Sequence, residues 1–261
     1  MPDFNQLSTP QLQQIKVDLF DRYNEIKSRG IALDITRGKP CPEQLDLSIE
    51  MLDIINSRNY LTADAVDCRN YGGLDGIPET KELFAQYLEV TPEEIIIGGN
   101  SSLNMMHDAF MRAMVKGITE DSPPWGKLPQ VKFLCPSPGY DRHFFICDHL
   151  DIEMITVNMN DTGPDMDQVE ALVADDEGVK GIWCVPRYSN PTGVVYSDEV
   201  VERLAAMKTK ANDIRIFWDN AYAVHHLDDK PARLKNILAT CKKAGNPERV
   251  FILGSNSKIT F

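Results

Sequence analysis

The sequence has no apolar run that approaches the roughly 18 consecutive residues needed to span a membrane. Its first six residues lack the basic stretch and apolar core of a secretory signal peptide. Internal repeats and low-complexity segments are also absent from the 261 residues. These absences predict a cytoplasmic globular protein that has no membrane partner.

Positive charge is scarce, with 27 Lys and Arg against 39 Asp and Glu and a net charge of -12. Because nucleic acids and anionic membranes bind basic surfaces, this balance argues against both as partners. The six cysteines include no CxxC pair and are expected to be reduced thiols. His143 and Cys147, four residues apart, are a conceivable metal pair, but no full ligand set emerges and no metal site is predicted.

Hydrophobic residues make up 43% of the chain, enough for a substantial core. From residue 94 onward, short apolar segments alternate with helical patterns at residues 166–174 and 198–210. This alternation predicts an α/β fold with a mostly parallel sheet and helices on both faces. The predicted strands are residues 95–97, 131–135, 154–157, 181–185, 214–218 and 250–253. Ligands of such sheets bind at the carboxyl ends of the strands.

Two segments at predicted strand ends carry ionisable side chains. Asp219 ends an apolar strand, where a carboxylate needs a cationic partner to offset its desolvation, and Tyr222 follows three residues later. A helix N-cap is the structural alternative for this Asp. Lys258 follows the last strand beside Ser255 and Ser257, and a sheltered lysine can lose its proton and attack a carbonyl. For any single lysine, however, solvent exposure without a catalytic role is the usual case.

Two further loops are rich in small and turn-forming residues. Residues 98–102, Gly-Gly-Asn-Ser-Ser, join a strand to a helix, where free N–H groups and hydroxyls can bind a phosphate. A simple capped helix explains them equally well. Residues 189–193, Ser-Asn-Pro-Thr-Gly, form a turn that presents Asn190 after a strand.

The order of these four segments resembles the fold type I pyridoxal-phosphate aminotransferases of class I/II. Ser137-Pro138-Gly139-Tyr140 and the glycine-rich loop at Tyr71 match as well. Four segments look like the bacterial aspartate aminotransferase subgroup Ic: LDITRGKP at residues 33–40, RNYGGLDG at 69–76, PGYDRHF at 138–144 and DNAYAVH at 219–225. The resemblance implies a seven-stranded type of sheet and a cis peptide as a candidate at Asn190-Pro191.

The resemblance also implies roles for individual residues in binding pyridoxal 5'-phosphate. Lys258 would bind the cofactor covalently and move the substrate proton, and Asp219 would pair with the pyridine nitrogen. Asn190 and Tyr222 would hydrogen-bond the phenolic oxygen, and Tyr140 would stack on the ring. Gly38 and Asn190 would contact the substrate. The phosphate would be held by Ser101, Ser102, Ser255 and, from a neighbouring subunit, Tyr71.

The resemblance further predicts the organisation and activity of the protein. Residues 1–65 would form an N-terminal arm and part of a small domain, and residues 66–261 a large cofactor-binding domain. The expected reaction moves an amino group from aspartate or glutamate to a 2-oxo acid such as 2-oxoglutarate, in a biosynthetic homodimer with shared active sites. A carbon–sulfur lyase and a non-catalytic cofactor-binding regulator are the alternatives.

One expected residue has no candidate in the sequence. The arginine that grips the substrate carboxylate in the family is expected in a later part of the small domain, outside this chain. The arginines nearest the motifs are interpreted as surface or structural residues; they are Arg37, Arg142 and Arg187.

Overall fold

The computed structural model describes residues 4–32 and 38–260 and divides the chain into two units, Met1–Lys39 and Pro40–Phe261. In the first unit, α1 spans Thr9–Ser28. The N-cap of α1 is Ser8, whose backbone N–H donates to the Gln11 side chain at 2.9 Å. Pro10 lies within the first turn, where its missing N–H costs nothing. The separate prediction of small and large domains, divided at residues 65 and 66, stays a prediction.

The second unit contains a six-stranded sheet in the order β3-β2-β1-β4-β5-β6. All neighbouring strands are parallel except β2 and β3, which pair antiparallel. This arrangement confirms the predicted α/β fold with a mostly parallel sheet. The strands are β1 (Lys132–Ser137), β2 (Glu153–Asn160), β3 (Gly163–Pro164), β4 (Val179–Cys184), β5 (Arg215–Asp219) and β6 (Val250–Leu253).

Residues 95–97, predicted as a strand, form no strand within the described part of the chain. The backbone is extended at Ile95, but the N–H of Ile97 donates to the carbonyl of Asp75 in a loop, at 2.9 Å. Ile95 therefore has the predicted extended conformation, while the strand pairing depends on a neighbour that the pattern cannot supply.

Helices cover both faces of the sheet, as predicted. Strand β5 shows the division, because Ile216 and Trp218 lie in one buried cluster with α6, α7 and α8, and Phe217 lies in the other with α4 and α5. Side chains alternate between the faces of a strand, so one strand contributes to both cores. The helices of the second unit are α2 (Pro42–Asp46), α3 (Pro78–Leu88), α4 (Ser102–Lys116), α5 (Asp141–His149), α6 (Met166–Asp175), α7 (Asp198–Ala206) and α8 (Ile237–Lys243). No helix in the described residues is both long and apolar enough to cross a membrane.

A buried ion pair links β4 to the segment just before β5. Lys180 Nζ lies 2.6 Å from Asp213 Oδ1, and the two side chains are 4% and 2% exposed. The other oxygen of Asp213 accepts a hydrogen bond from Trp125 Nε1 at 2.9 Å. Both carboxylate oxygens are thus satisfied, which offsets the cost of burying the charges.

We expect Asp213→Ala to lower the free energy of unfolding by about 3–5 kcal/mol, because it leaves the Lys180 ammonium buried without its partner. Urea denaturation followed by circular dichroism measures this change. Asp108→Ala is the control, since its pair with Arg112 is exposed on α4 and such pairs contribute about 0.5 kcal/mol. Equal effects of the two substitutions would show that the buried pair is not structurally important.

Candidate active site

The carboxyl ends of the parallel strands bring most of the predicted site residues to one edge of the sheet. Tyr140 follows β1, Asn190 follows β4, and Asp219 ends β5. Asp219 pairs in register with Leu253 of β6, and Asn220 N donates to the Leu253 carbonyl at 2.8 Å. The loop that carries Lys258 therefore starts beside Asp219.

Asp219 is 5% exposed, and its two carboxylate oxygens have different surroundings. Oδ2 lies 2.9 Å from His143 Nε2. Oδ1 is buried and has no hydrogen-bond partner among the described residues. A buried acceptor without a partner is costly, and a ligand N–H at this position would satisfy it. A protonated pyridine nitrogen fits this requirement in both charge and hydrogen bonding.

His143 is a site residue that no sequence motif predicted, since its four-residue spacing from Cys147 indicated only a candidate metal pair. The structure directs His143 to Asp219 instead, while Cys147 accepts a hydrogen bond from Trp183 Nε1 at 3.3 Å. Helix α5 was not among the predicted elements, so the side of the chain that faces the sheet could not be derived. An amphipathic reading of residues 141–149 would have placed His143 and Cys147 on one buried face.

Tyr222 lies in a cluster with three other predicted residues. Burial raises the pKa of the Tyr222 hydroxyl, and the negative charge of Asp219 and the Tyr140 side chain raise it further. A hydrogen bond with the Asn190 side chain lowers this pKa, but the net shift is upward. The hydroxyl is therefore protonated at neutral pH and able to donate. The loop after β4, which carries Asn190, contains a cis peptide at Asn190-Pro191, as predicted, and the Ser137-Pro138 peptide is also cis.

The glycine-serine loop and the segment after β6 enclose a cavity of about 330 Å³. Gly98, Gly99 and Ser102 line one side, and Gly254 and Ser255 line the other. Ser101 is the N-cap of α4, where its hydroxyl accepts a hydrogen bond from Asn104 N at 3.4 Å. Small residues, hydroxyls and a helix N-terminus together suit a phosphate group.

Lys258 lies in a turn after β6 and is half-buried. The turn is closed by Ile259 N and Thr260 N, which donate to the Asn256 carbonyl at 2.8 and 3.1 Å. The carbonyl of Lys258 itself lies 2.9 Å from His225 Nε2. His225 thus connects the loop after β5 to the loop after β6, a role that no sequence pattern predicted.

Tyr71 and Gly38 are the two remaining predicted site residues. The side chain of Tyr71 is 98% exposed, which fits a predicted role toward a neighbouring subunit but does not test it. Gly38 belongs to the first unit, and its predicted substrate contact stays a prediction.

The three arginines near the motifs differ in their surroundings. Arg187 is 9% exposed and donates through NH1 to the carbonyl of Ala223, so it joins the loops after β4 and β5. Arg142 is exposed. Arg37 lies outside the described residues, as do the first five residues of the 33–40 segment.

Comparison with known proteins identifies relatives over nearly the whole chain. The family model described as aspartate amino-transferase matches residues 7–261. A candidate aminotransferase of Mycolicibacterium smegmatis is 48% identical over 241 residues, 92% of this chain and 56% of that protein. An aspartate aminotransferase of Corynebacterium glutamicum is 46% identical over 243 residues, 93% of this chain and 56% of that protein. The chain thus spans a little over half the length of these relatives.

Solved structures of aminotransferases share the fold of this chain. The structure of an aspartate transaminase from Corynebacterium glutamicum matches with a TM-score of 0.90 at 44% identity, covering 97% of this chain and 60% of that chain. An α-aminoadipate aminotransferase from Thermus thermophilus, complexed with N-(5'-phosphopyridoxyl)-L-leucine, matches with a TM-score of 0.65 at 21% identity, covering 86% of this chain and 52% of that chain. The second likeness supports the fold alone.

Proposed function

Because this chain belongs to the aspartate amino-transferase family, we propose that it acts as a pyridoxal-phosphate-dependent aminotransferase. The reaction moves an amino group from aspartate or glutamate to a 2-oxo acid such as 2-oxoglutarate. The observation that carries the proposal is the buried Oδ1 of Asp219, which has no partner among the described residues and lies at the carboxyl edge of the sheet. The names of the Corynebacterium relatives support aspartate as the donor.

The residues at the sheet edge fit the parts of the cofactor. Asp219 would hold the ring nitrogen through Oδ1, and Asn190 and Tyr222 would hold the phenolic oxygen. Tyr140 would cover the ring face, and Lys258 would form the covalent bond. The phosphate would lie at the cavity between the glycine-serine loop and the β6 loop, against Ser101, Ser102 and Ser255.

The cofactor supplies an electron sink for the bond electrons of the substrate. The chain supplies orientation and proton transfer. The carboxylate of Asp219 provides a fixed negative charge opposite a ring N–H, and burial makes this interaction stronger than in water. Tyr222 and Asn190 orient the ring by hydrogen bonds. The ε-amino group of Lys258 would remove the proton from the substrate Cα as a base and, as an acid, would deliver a proton to the C4′ carbon of the cofactor.

The visible spectrum of the purified protein tests this proposal directly. We expect a yellow band with pyridoxal phosphate, which bleaches when aspartate or glutamate is added and returns when 2-oxoglutarate is added. Analysis of the products then distinguishes an oxo acid, the product of transamination, from the sulfide or thiol that a carbon–sulfur lyase would release. A protein that remains colourless with added pyridoxal phosphate, and does not fix it with borohydride, would overturn the proposal.

We also propose a homodimer with shared active sites, a cytoplasmic location and a biosynthetic role, which all follow from the resemblance. The exposed Tyr71 makes the shared site testable. We expect Tyr71→Phe to weaken pyridoxal-phosphate binding about tenfold, because a hydrogen bond to a charged group contributes about 1.5 kcal/mol. The melting temperature of the apo protein should stay within about 1 °C, since surface substitutions change stability little.

Tyr23→Phe is the matched control, because Tyr23 is also exposed and lies on α1. Its affinity for pyridoxal phosphate, measured by equilibrium dialysis, should equal that of the unmodified protein. Sedimentation at the same concentrations reports the oligomeric state. Unchanged affinity in Tyr71→Phe would remove Tyr71 from the phosphate site.

A further inference from the structure

The imidazole of His143 is held between two aromatic rings. It stacks flat on the indole of Trp183, with centroids 4.4 Å apart and an interplanar angle of 10°. The Tyr140 ring meets it nearly edge-on, at 5.0 Å and 89°. Trp183 is 2% exposed and His143 is 1% exposed. The plane of the imidazole, and with it the direction of Nε2 toward Asp219, is set by these contacts.

Trp183 also contacts α5 at a second point. Its Nε1 donates to Cys147 Sγ at 3.3 Å. Cys147 follows His143 by four residues, so both side chains lie on the same face of the helix, one turn apart. This two-point contact fixes the rotation of α5 about its axis. A rotation by one residue, about 100°, would move His143 away from Asp219.

The indole is fixed by its own neighbours within the buried aromatic cluster. It stacks on Phe110 at 5.1 Å and 14°, and it contacts Phe217 at 4.9 Å and Phe133 at 5.3 Å. Close packing on this side leaves the indole little freedom to turn. The aromatic cluster therefore holds the Trp183 indole in place, the indole holds the His143 ring, and His143 holds the Asp219 carboxylate.

We infer that Trp183 is a positioning residue for the cofactor site. It holds His143 so that Nε2 engages Oδ2 of Asp219 and leaves Oδ1 directed to the cofactor nitrogen. The inference rests on the proposed function, because that function assigns Oδ1 of Asp219 to the cofactor nitrogen. Trp183 acts through His143, so substitutions of the two residues should have non-additive effects on cofactor affinity.

A double-mutant cycle on pyridoxal-phosphate binding tests the inference. We expect Trp183→Leu to weaken binding about tenfold in the otherwise unmodified protein and less than about twofold in the His143→Phe background, since coupled residues are non-additive. His143→Phe keeps a flat ring and removes the hydrogen bond to Asp219. Should Trp183→Leu weaken binding equally in both backgrounds, Trp183 does not act through His143.

Two further variants separate positioning from loss of core packing. Leu204→Ala is the matched control, because Leu204 of α7 is fully buried in the other core cluster, which does not include Trp183. It should lower the melting temperature much as Trp183→Leu does, yet leave the affinity within about twofold. Trp183→Phe keeps the stacking ring and loses only the bond to Cys147, and we expect about threefold weaker binding. The cycle can be run with this variant if Trp183→Leu does not fold.

The apo protein gives a readout that does not depend on the cofactor. A flat indole at stacking distance shifts the His143 ring-proton resonance upfield, and we expect Trp183→Leu or Trp183→Phe to move this resonance, which His143→Phe identifies by its absence. If the unmodified protein fails to bind pyridoxal phosphate, the proposed function is wrong and the resonance alone decides the positioning. A resonance unmoved by either substitution would overturn the inference.

Discussion

Lys258→Ala is expected to reduce transamination by more than about a thousandfold, because general acid–base catalysis alone contributes about 10²–10⁴-fold and the covalent attachment is lost as well. The variant should still bind pyridoxal phosphate through its other contacts, but without the yellow band of the lysine-bound form. Turnover with aspartate and 2-oxoglutarate, together with the mass of the borohydride-treated protein, measures both effects.

Lys243→Ala is the control for this experiment, since Lys243 is exposed at the end of α8. It should retain full activity and the same borohydride-fixed mass as the unmodified protein. Near-normal transamination by Lys258→Ala would refute the assignment of this lysine. Fixation of the cofactor at another lysine would do the same, and peptide mapping identifies the position.

Asp219→Asn is expected to lower the rate of the amino-transfer half-reaction by about 10²–10³-fold, the range seen when one fixed electrostatic contact is removed from an active site. The amide oxygen can still accept a hydrogen bond from His143, and the side-chain volume is unchanged, so the fold should persist. The buried carboxylate charge opposite the ring nitrogen is what the substitution removes. Single-turnover absorbance measurements isolate this step from product release.

Asp148→Asn provides the matched control, because Asp148 is exposed on α5, the same helix as His143. It should change neither the half-reaction rate nor the melting temperature. A half-reaction in Asp219→Asn as fast as in the unmodified protein would exclude Asp219 as the partner of the ring nitrogen. Comparison with Trp183→Leu then shows how much of the effect depends on the direction of the carboxylate.

Local patterns in the sequence predicted the strands well wherever an apolar segment also had neighbours to pair with. The prediction of residues 250–253 agrees with β6 to the residue, and those for β1, β2, β4 and β5 agree within three residues at each end. Residues 95–97 failed because hydrogen bonding between strands is a non-local property. Trp125 shows the same limit, since it lies outside the predicted strands and helical patterns and is fully buried against Asp213.

The sequence by itself determined the order of the motifs, the strand ends at which Asn190, Asp219 and Lys258 lie and the family to which the chain belongs. These are properties of consecutive residues, and short-range sterics and apolar periodicity specify them. Only the tertiary structure decided which oxygen of Asp219 lacks a partner. It also decided that His143 contacts Asp219, that Trp183 stacks on His143 and that Cys147 accepts a hydrogen bond from Trp183. Those relations join β5, α5 and β4, whose side chains meet only when the sheet and its helices pack, so no spacing along the chain encodes them directly.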